Sequence, residues 1–321
     1  MKRYAGAARL YLLVVNLVFV ANLIISYFNP TDVVSSFLLS ALFITVLSIY
    51  IPAVFFTRKA KPPEFGTRRI SFQQGALSVV IGFGTFLIMS GIMGLFYYFT
   101  RDFTMVETGL ELPSLLSFAG IAYFFTSCIL APIAEERLFR GTLMFSWLVM
   151  GRTKVVLLTA ILFALLHMDP LSFIALLFAG IMLGLVAYDS RSIYPAIIAH
   201  MTINTVSVIF NEFVPNEYSM FGNELYDALI LILFGGAIIF LSYGAFKKRG
   251  LQPLLPIPVE NMASISAKEL QEKGYTVEDI PELFPQISIR KRYILPPLLL
   301  SATFLLFVNV LTALYIFGVM S

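Results

Sequence analysis

Long runs of apolar residues, separated by short polar segments, dominate this chain from end to end. A helix needs about 20 mainly apolar residues to cross a bilayer, and most of the runs reach that length, although the run at 153–168 is short. The pattern predicts an all-α protein, a polytopic transmembrane helix bundle with about eight or nine spans. The candidate spans lie near 10–28, 33–56, 75–99, 113–134, 153–168, 171–188, 193–212, 225–246 and 294–318.

Composition supports an integral membrane protein and excludes other classes. Hydrophobic residues make up 59% of the 321 residues and charged residues only 13%, whereas soluble domains carry about 25% charged residues. The mean hydropathy is +0.86. A net charge of +3, without a basic stripe interleaved with aromatic residues, argues against a nucleic-acid partner. The single cysteine, Cys128, excludes an internal disulfide.

Lysine and arginine residues predict the orientation of the chain in the membrane. If the spans alternate from a cytosolic N-terminus, nearly all 22 Lys and Arg residues fall in or beside the inner segments, and only Arg101 lies clearly outside. Cytosolic loops are enriched in these residues. We therefore expect a cytosolic N-terminus. The predicted inner segments are 1–9, 57–74, 135–152, 189–192 and 247–293.

Candidate chemistry is confined to a few ionisable residues inside the apolar runs. The only two histidines are His167, in "LFALLHMDP", and His200, in "PAIIAHMTINT". Ionisable groups within a membrane are costly and usually functional. Residues four apart share one face of a helix, so Phe163 lies beside His167 and Asn204 lies beside His200.

Two adjacent glutamates end the fourth apolar run, in "APIAEERLFRG" at 131–141. Glu136 and Arg140 are four residues apart, and we expect them to form an ion pair near the membrane surface. Glu135 then points about 100° away on the helix and stays free for chemistry.

A carboxylate and two imidazoles in a partly dry cavity form a site that activates water. In an alternative arrangement, Glu135, His167 and His200 bind zinc with an open water position. No HExxH or GxSxG motif is present, which argues against the common helical zinc peptidases and against serine hydrolases.

Three short motifs resemble those of a known family. "EERLFR" fits EExxxR, "FALLH" fits FxxxH and "HMTIN" fits HxxxN. In this order they are similar to the motifs of the CPBP intramembrane proteases, which include the CAAX prenyl protease and bacterial bacteriocin-processing or Abi proteins. The resemblance covers roughly residues 115–212. We expect N-terminal spans at 1–112, a catalytic core at 113–212, and C-terminal spans at 213–321 that include a cytosolic connector at about 247–292.

The resemblance implies an endopeptidase that cleaves membrane-associated peptides near the cytosolic face. Glu135 takes the role of the glutamate that activates water, His167 matches the second-motif histidine, and His200 with Asn204 matches the pair that stabilises the oxyanion. Glu136, Arg140 and Phe163 match supporting positions. The family implies either a glutamate-dependent mechanism, which we favour, or a zinc-dependent one.

Other functions stay open at this stage. A proton-coupled transporter would use the same Glu and His residues as a proton relay. A bacteriocin immunity or binding protein would keep the motifs without proteolysis. The expected partners are membrane lipids and a membrane-associated peptide, and the expected location is a bacterial plasma membrane. One conflict is evident: in a simple span at 153–168, His167 lies near the outer end, too far from a Glu135 at the inner surface.

Overall fold

The computed structural model describes residues 2–28, 33–60, 69–100, 114–214, 222–248 and 295–316. Helix accounts for 91% of these residues, and none of them forms a strand pair of a sheet. The prediction of a polytopic helical bundle is confirmed. The predicted connector at 247–292 lies outside the described residues except for its first two positions.

Nine helices occur in the described ranges, and their bounds follow the apolar runs. We number α1 Lys2–Phe28, α2 from Val33 to Ala60, α3 Phe72–Thr100, α4 from Phe118 to Met144, α5 Arg152–Leu166, α6 Phe173–Ser190, α7 Tyr194–Phe213, α8 Glu224–Lys248 and α9 Leu295–Ile316.

Seven of the described helices, α1–α4 and α6–α8, are long and apolar enough to cross a membrane. Helix α5 has only 15 residues, or about 22 Å at 1.5 Å per residue, which is short of a full span. Helix α9 has 22 residues, about 33 Å, which is enough for a span by length. Among the spans predicted from the sequence, the one at 153–168 therefore corresponds to a helix that is short for a bilayer.

Large apolar side chains cover the outside of the bundle, where lipid would contact them. In α8, for example, Leu233 is 72% exposed and Phe240 is 81% exposed. Exposed apolar area of this kind is unfavourable in water and neutral in hydrocarbon. The exposed surface therefore agrees with an integral membrane protein.

Small residues allow the helices around the centre of the bundle to approach closely. A Cβ atom on Gly82 of α3 would lie 2.5 Å from the carbonyl oxygen of Ala199 in α7. Helix association in membranes depends on such close packing, because lipid is as apolar as the helix surfaces. Helix α1 is fixed to α5 by a buried hydrogen bond, 2.7 Å long, from the Tyr11 hydroxyl to the carbonyl of Leu162. These contacts hold α3 and α1 against the helices that carry the motifs.

Candidate active site

Helix α4 carries both motif glutamates into the interior of the bundle. The helix continues from Phe118 to Met144, so Glu135 lies about 26 Å from its start and about 14 Å from its end. The first ten residues of the predicted inner segment 135–152 are helical and belong to α4. The reason is that Leu138, Phe139, Leu143 and Met144 are fully buried, which makes it favourable for this stretch to continue as a core helix.

The local geometry of α4 changes on both sides of the glutamates. The segment Ala131–Glu136 is α-helical, whereas Phe125–Leu130 and Arg137–Met144 have the wider π-helical geometry. Such wider turns are frequent at functional sites. The depth of α4 also removes the conflict over His167, because Glu135 does not lie at the inner surface.

Glu136 and Arg140 form the expected ion pair, but deep in the protein rather than near the membrane surface. Arg140 Nη1 lies 2.7 Å from Glu136 Oε1, and both side chains are 0% exposed. Arg140 Nη2 also donates a hydrogen bond of 2.9 Å to the carbonyl of Gly180 in α6. Its guanidinium carbon lies 4.9 Å from the centre of the Phe163 ring. The arginine thus connects α4 with α6, and desolvation makes its pairing with Glu136 essential.

The same oxygen of Glu136 also orients His200. The Nδ1 atom of His200 lies 3.0 Å from Glu136 Oε1, and the residue is 5% exposed. A carboxylate only accepts hydrogen bonds, so Nδ1 carries a proton and donates it. This hydrogen bond fixes the ring orientation and turns Nε2 away from Glu136. Glu136 is therefore a positioning residue shared by Arg140 and His200.

His167 is held by its own helix. It caps the C-terminus of α5, and its Nδ1 lies 2.8 Å from the carbonyl oxygen of Phe163, to which it must donate. The Phe163 and His167 rings pack with centroids 4.6 Å apart, which confirms the predicted aromatic neighbour. The next residue, Met168, has φ +51°, a left-handed conformation that is uncommon for a non-glycine residue. The chain turns sharply there, directly after His167.

Glu135 lies opposite the free nitrogens of both rings. Its Oε2 atom is 3.8 Å from His167 Nε2 and 4.0 Å from His200 Nε2. These distances are too long for direct hydrogen bonds but suit a bridging water. Oε2 is buried and has no hydrogen-bond partner in the protein, a rare condition that a native structure usually explains by water, an ion or a catalytic role.

The formal charges of Glu135, Glu136 and Arg140 leave this buried site with one net negative charge. A low-dielectric environment makes such a charge expensive. It therefore favours polar groups, such as a water molecule, beside the Glu135 carboxylate.

Asn204 lies in the same region but makes a different contact from the one expected. Its Nδ2 donates a hydrogen bond of 2.8 Å to the carbonyl of Ser127 in α4. No hydrogen bond joins it to the His200 ring. An amide nitrogen carries two protons, so one donor remains after the contact with Ser127. Asn204 lines the cavity described below, together with His167.

The zinc alternative can be compared with this arrangement. Nitrogen and oxygen ligands of one zinc lie 2.0–2.2 Å from the metal, hence roughly 3.3 Å from each other. The separations between Glu135 and the two imidazoles are longer, and no group of three or more His, Cys, Asp or Glu side chains within the described ranges could hold a metal ion. As arranged here, Glu135, His167 and His200 do not fit a zinc site.

A cavity of about 540 Å³ adjoins the site on the side of His167 and Asn204. Helix α3 contributes part of its wall, including Phe86, Met89 and Met93. These residues lie outside the three motifs, and the sequence offers no signal that separates them from other apolar residues of the same span. Sequence analysis also missed the backbone carbonyls of Ser127 and Gly180, because backbone contacts leave no mark on residue type.

Comparison with known proteins gives one finding. Residues 117–206 match the family model described as type II CAAX prenyl endopeptidase Rce1-like, and this range lies within the predicted core at 113–212. No curated protein and no solved structure matches the chain significantly. The matched range contains all three motifs and the residues that meet around Glu135. The resemblance inferred from the motifs is therefore confirmed: the protein is an integral membrane protein whose residues 117–206 match the model of the Rce1-like CAAX endopeptidase family.

Proposed function

We propose that this protein is an intramembrane endopeptidase in which Glu135 activates a water molecule to hydrolyse a peptide bond. The observation that carries the proposal is the buried, unpartnered Oε2 of Glu135, which faces the Nε2 atoms of two histidines at 3.8 and 4.0 Å. A water molecule between these groups can donate one hydrogen bond to Glu135 Oε2 and the other to His167 Nε2.

In the proposed reaction, Glu135 removes a proton from this water while the water oxygen attacks the carbonyl carbon of the substrate. A tetrahedral intermediate forms, and its oxygen carries the negative charge. Glu135 then passes the proton to the amide nitrogen, and the C–N bond breaks to give a carboxylic acid and an amine, which exchange a proton to become a carboxylate and an ammonium group. One carboxylate thus serves first as the general base and then as the general acid.

His167 keeps its Nε2 lone pair toward the water, because its Nδ1 proton is used by the Phe163 carbonyl. His200, in its doubly protonated form, donates Nδ1–H to Glu136 and Nε2–H to the developing oxyanion. The remaining N–H of Asn204 is the second oxyanion donor, and such preorganised donors are a major source of rate enhancement.

Cleavage of membrane-tethered reporter peptides by the detergent-purified protein tests the proposal. Wild type and Glu135→Gln are compared, each with and without a strong zinc chelator. We expect cleavage by wild type that persists with chelator, and its loss in Glu135→Gln. The glutamine keeps the size of the side chain but removes the base, so a folding defect is not expected. Loss of wild-type cleavage with chelator, and its return with zinc, would contradict the glutamate–water mechanism.

Two further variants test whether both histidines are required for cleavage. We expect His167→Ala and His200→Ala each to remove activity while the bundle stays folded, as judged by elution as a single species in detergent. Normal cleavage by any well-folded variant of Glu135, His167 or His200 would refute the assignment. If wild type cleaves no peptide, the immunity or binding alternative gains weight. The transporter alternative predicts substrate flux that depends on Glu135 without cleavage.

A further inference from the structure

The cavity beside the site lies toward one end of the bundle. Helices α3 and α7 run in the same direction, since Gly82 approaches Ala199 and, further along, the rings of Phe86 and Phe210 lie 5.8 Å apart. Both helices line the cavity with residues from their C-terminal halves, such as Met93 and Asn211. The turn between α5 and α6 contributes Asp169 and Ser172. The cavity therefore extends from the catalytic groups toward the C-terminal ends of α3, α5 and α7.

The basic residues of the same helices lie at the opposite end. Arg69 precedes α3, Arg152 begins α5, and Arg191 stands between the end of α6 and the start of α7. Lys247 and Lys248 end α8, which runs along α3. By the positive-inside rule this end faces the cytosol. The cavity thus points away from the predicted cytosolic side.

Buried side chains separate the catalytic groups from the basic end. Met144, Trp147 and Ser192 are 0% exposed, and Ile193 is 5% exposed. Arg152 forms a two-point ion pair with Asp189 across this end, with both N–O distances 2.8 Å. In contrast, the exposed fraction rises toward the cavity: the side chain is 0% exposed for Glu136, 15% for Glu135 and 31% for His167.

We propose that the substrate reaches Glu135 through this cavity from the non-cytosolic end of the bundle. This inference rests on the proposed function and adds the side of entry to it. Glu135 and His200 still lie closer to the cytosolic ends of their helices, since Glu135 is nine residues, about 14 Å, before the end of α4 and His200 is six residues, about 9 Å, after the start of α7. Proximity to the cytosolic face in depth is thus compatible with entry from the other side.

The wall of the cavity indicates the substrate class. Met89, Met93, Leu176 and Phe210 supply flexible and aromatic apolar surface, and methionine adapts to irregular apolar shapes. Ser90 and Ser207 add hydroxyl groups that can pair with a peptide backbone. The expected substrate is an extended peptide segment exposed on the non-cytosolic side, with a large apolar side chain near the scissile bond.

Cysteine labelling tests the side of entry without relying on catalysis. Cys128 is the only cysteine and is fully buried, so Cys128→Ser gives a thiol-free background. In it, Asn211→Cys marks the mouth of the cavity, and Lys248→Cys marks the basic end. With a membrane-impermeant maleimide on intact cells, we expect modification of Asn211→Cys only, and of Lys248→Cys only after permeabilisation. The reverse pattern would overturn the proposal.

Activity provides the second readout. Tyr226→Cys is the matched control, because Tyr226 lies at the same end as Asn211, is 59% exposed, and does not line the cavity. We expect the bulky maleimide adduct to abolish cleavage in Asn211→Cys and to leave it unchanged in Tyr226→Cys. Equal cleavage by both adducts would overturn entry through the cavity. If the unlabelled protein cleaves none of the peptides, the proposed function is refuted. The labelling pattern would still decide which side of the membrane the cavity faces.

Discussion

Replacing Arg140 with leucine tests the buried ion pair that supports the site. Arg140 donates to Glu136 at 2.7 Å and to the Gly180 carbonyl at 2.9 Å, and neither charged side chain has any exposed area. Removing one member of such a pair leaves an uncompensated buried charge and typically costs about 3–5 kcal/mol. At about 2 °C per kcal/mol, the value for larger domains, the apparent unfolding temperature in detergent should fall by roughly 6–10 °C.

The double variant Glu136→Leu/Arg140→Leu makes this prediction sharper. It removes both charges together, so the penalty of an isolated charge disappears. The carbonyl of Gly180 and Nδ1 of His200 still lose their partners, at about 1–3 kcal/mol for an unsatisfied buried group. We therefore expect the double variant to be more stable than the sum of the two single changes predicts, yet inactive, because His200 is no longer oriented.

Arg152→Leu is the matched control, since it also removes an arginine from an ion pair. The Arg152 side chain is 38% exposed, so water compensates part of the lost pairing and about 1 kcal/mol is expected. Thermal unfolding, followed by fluorescence of the single tryptophan, Trp147, compares wild type with Arg140→Leu, Glu136→Leu, the double variant and Arg152→Leu. An unfolding temperature for Arg140→Leu equal to that of wild type, or no lower than that of Arg152→Leu, would refute the buried pair.

Other substitutions probe the site and the helix packing separately. Asn204→Ala should lower kcat on the reporter peptide by up to about 10²–10³-fold, the cost of one oxyanion donor, and an unchanged kcat would remove Asn204 from the oxyanion site. Gly82→Ala should destabilise the protein by about 1–3 kcal/mol through overpacking, because its Cβ would lie 2.5 Å from the carbonyl oxygen of Ala199. Gly236→Ala is its control: no atom lies within 4 Å of the new Cβ, and the protein should gain up to about 1 kcal/mol. Tyr11→Phe should cost about 1 kcal/mol of stability, measured by the same unfolding assay, and should leave cleavage unchanged.

Hydrophobic pattern and motif spacing determined much of this protein by themselves. Apolar runs of span length fix helices in a bilayer, because backbone polar groups in hydrocarbon must be satisfied within the helix. The motifs also predicted that Glu135, His167, His200 and Asn204 lie in one region, and in the structure Glu135 lies 3.8 and 4.0 Å from the two histidine rings, with Asn204 beside His167 on the cavity wall. The pairing of Glu136 with Arg140 followed from the four-residue spacing alone.

Tertiary structure decided the depth, the partners and the access route of the site. Sequence placed 135–152 at the membrane surface because charged residues usually end a span. In the folded protein, Arg140 is neutralised by Glu136 and solvated by the Gly180 carbonyl, so α4 continues into the core. The Gly180 carbonyl of α6, which accepts from Arg140, and His200 of α7, which donates to Glu136, are distant in sequence, and no local pattern encodes these two contacts. The direction of the cavity likewise depends on how α3, α5 and α7 pack in parallel, a relation that exists only once the helices are assembled.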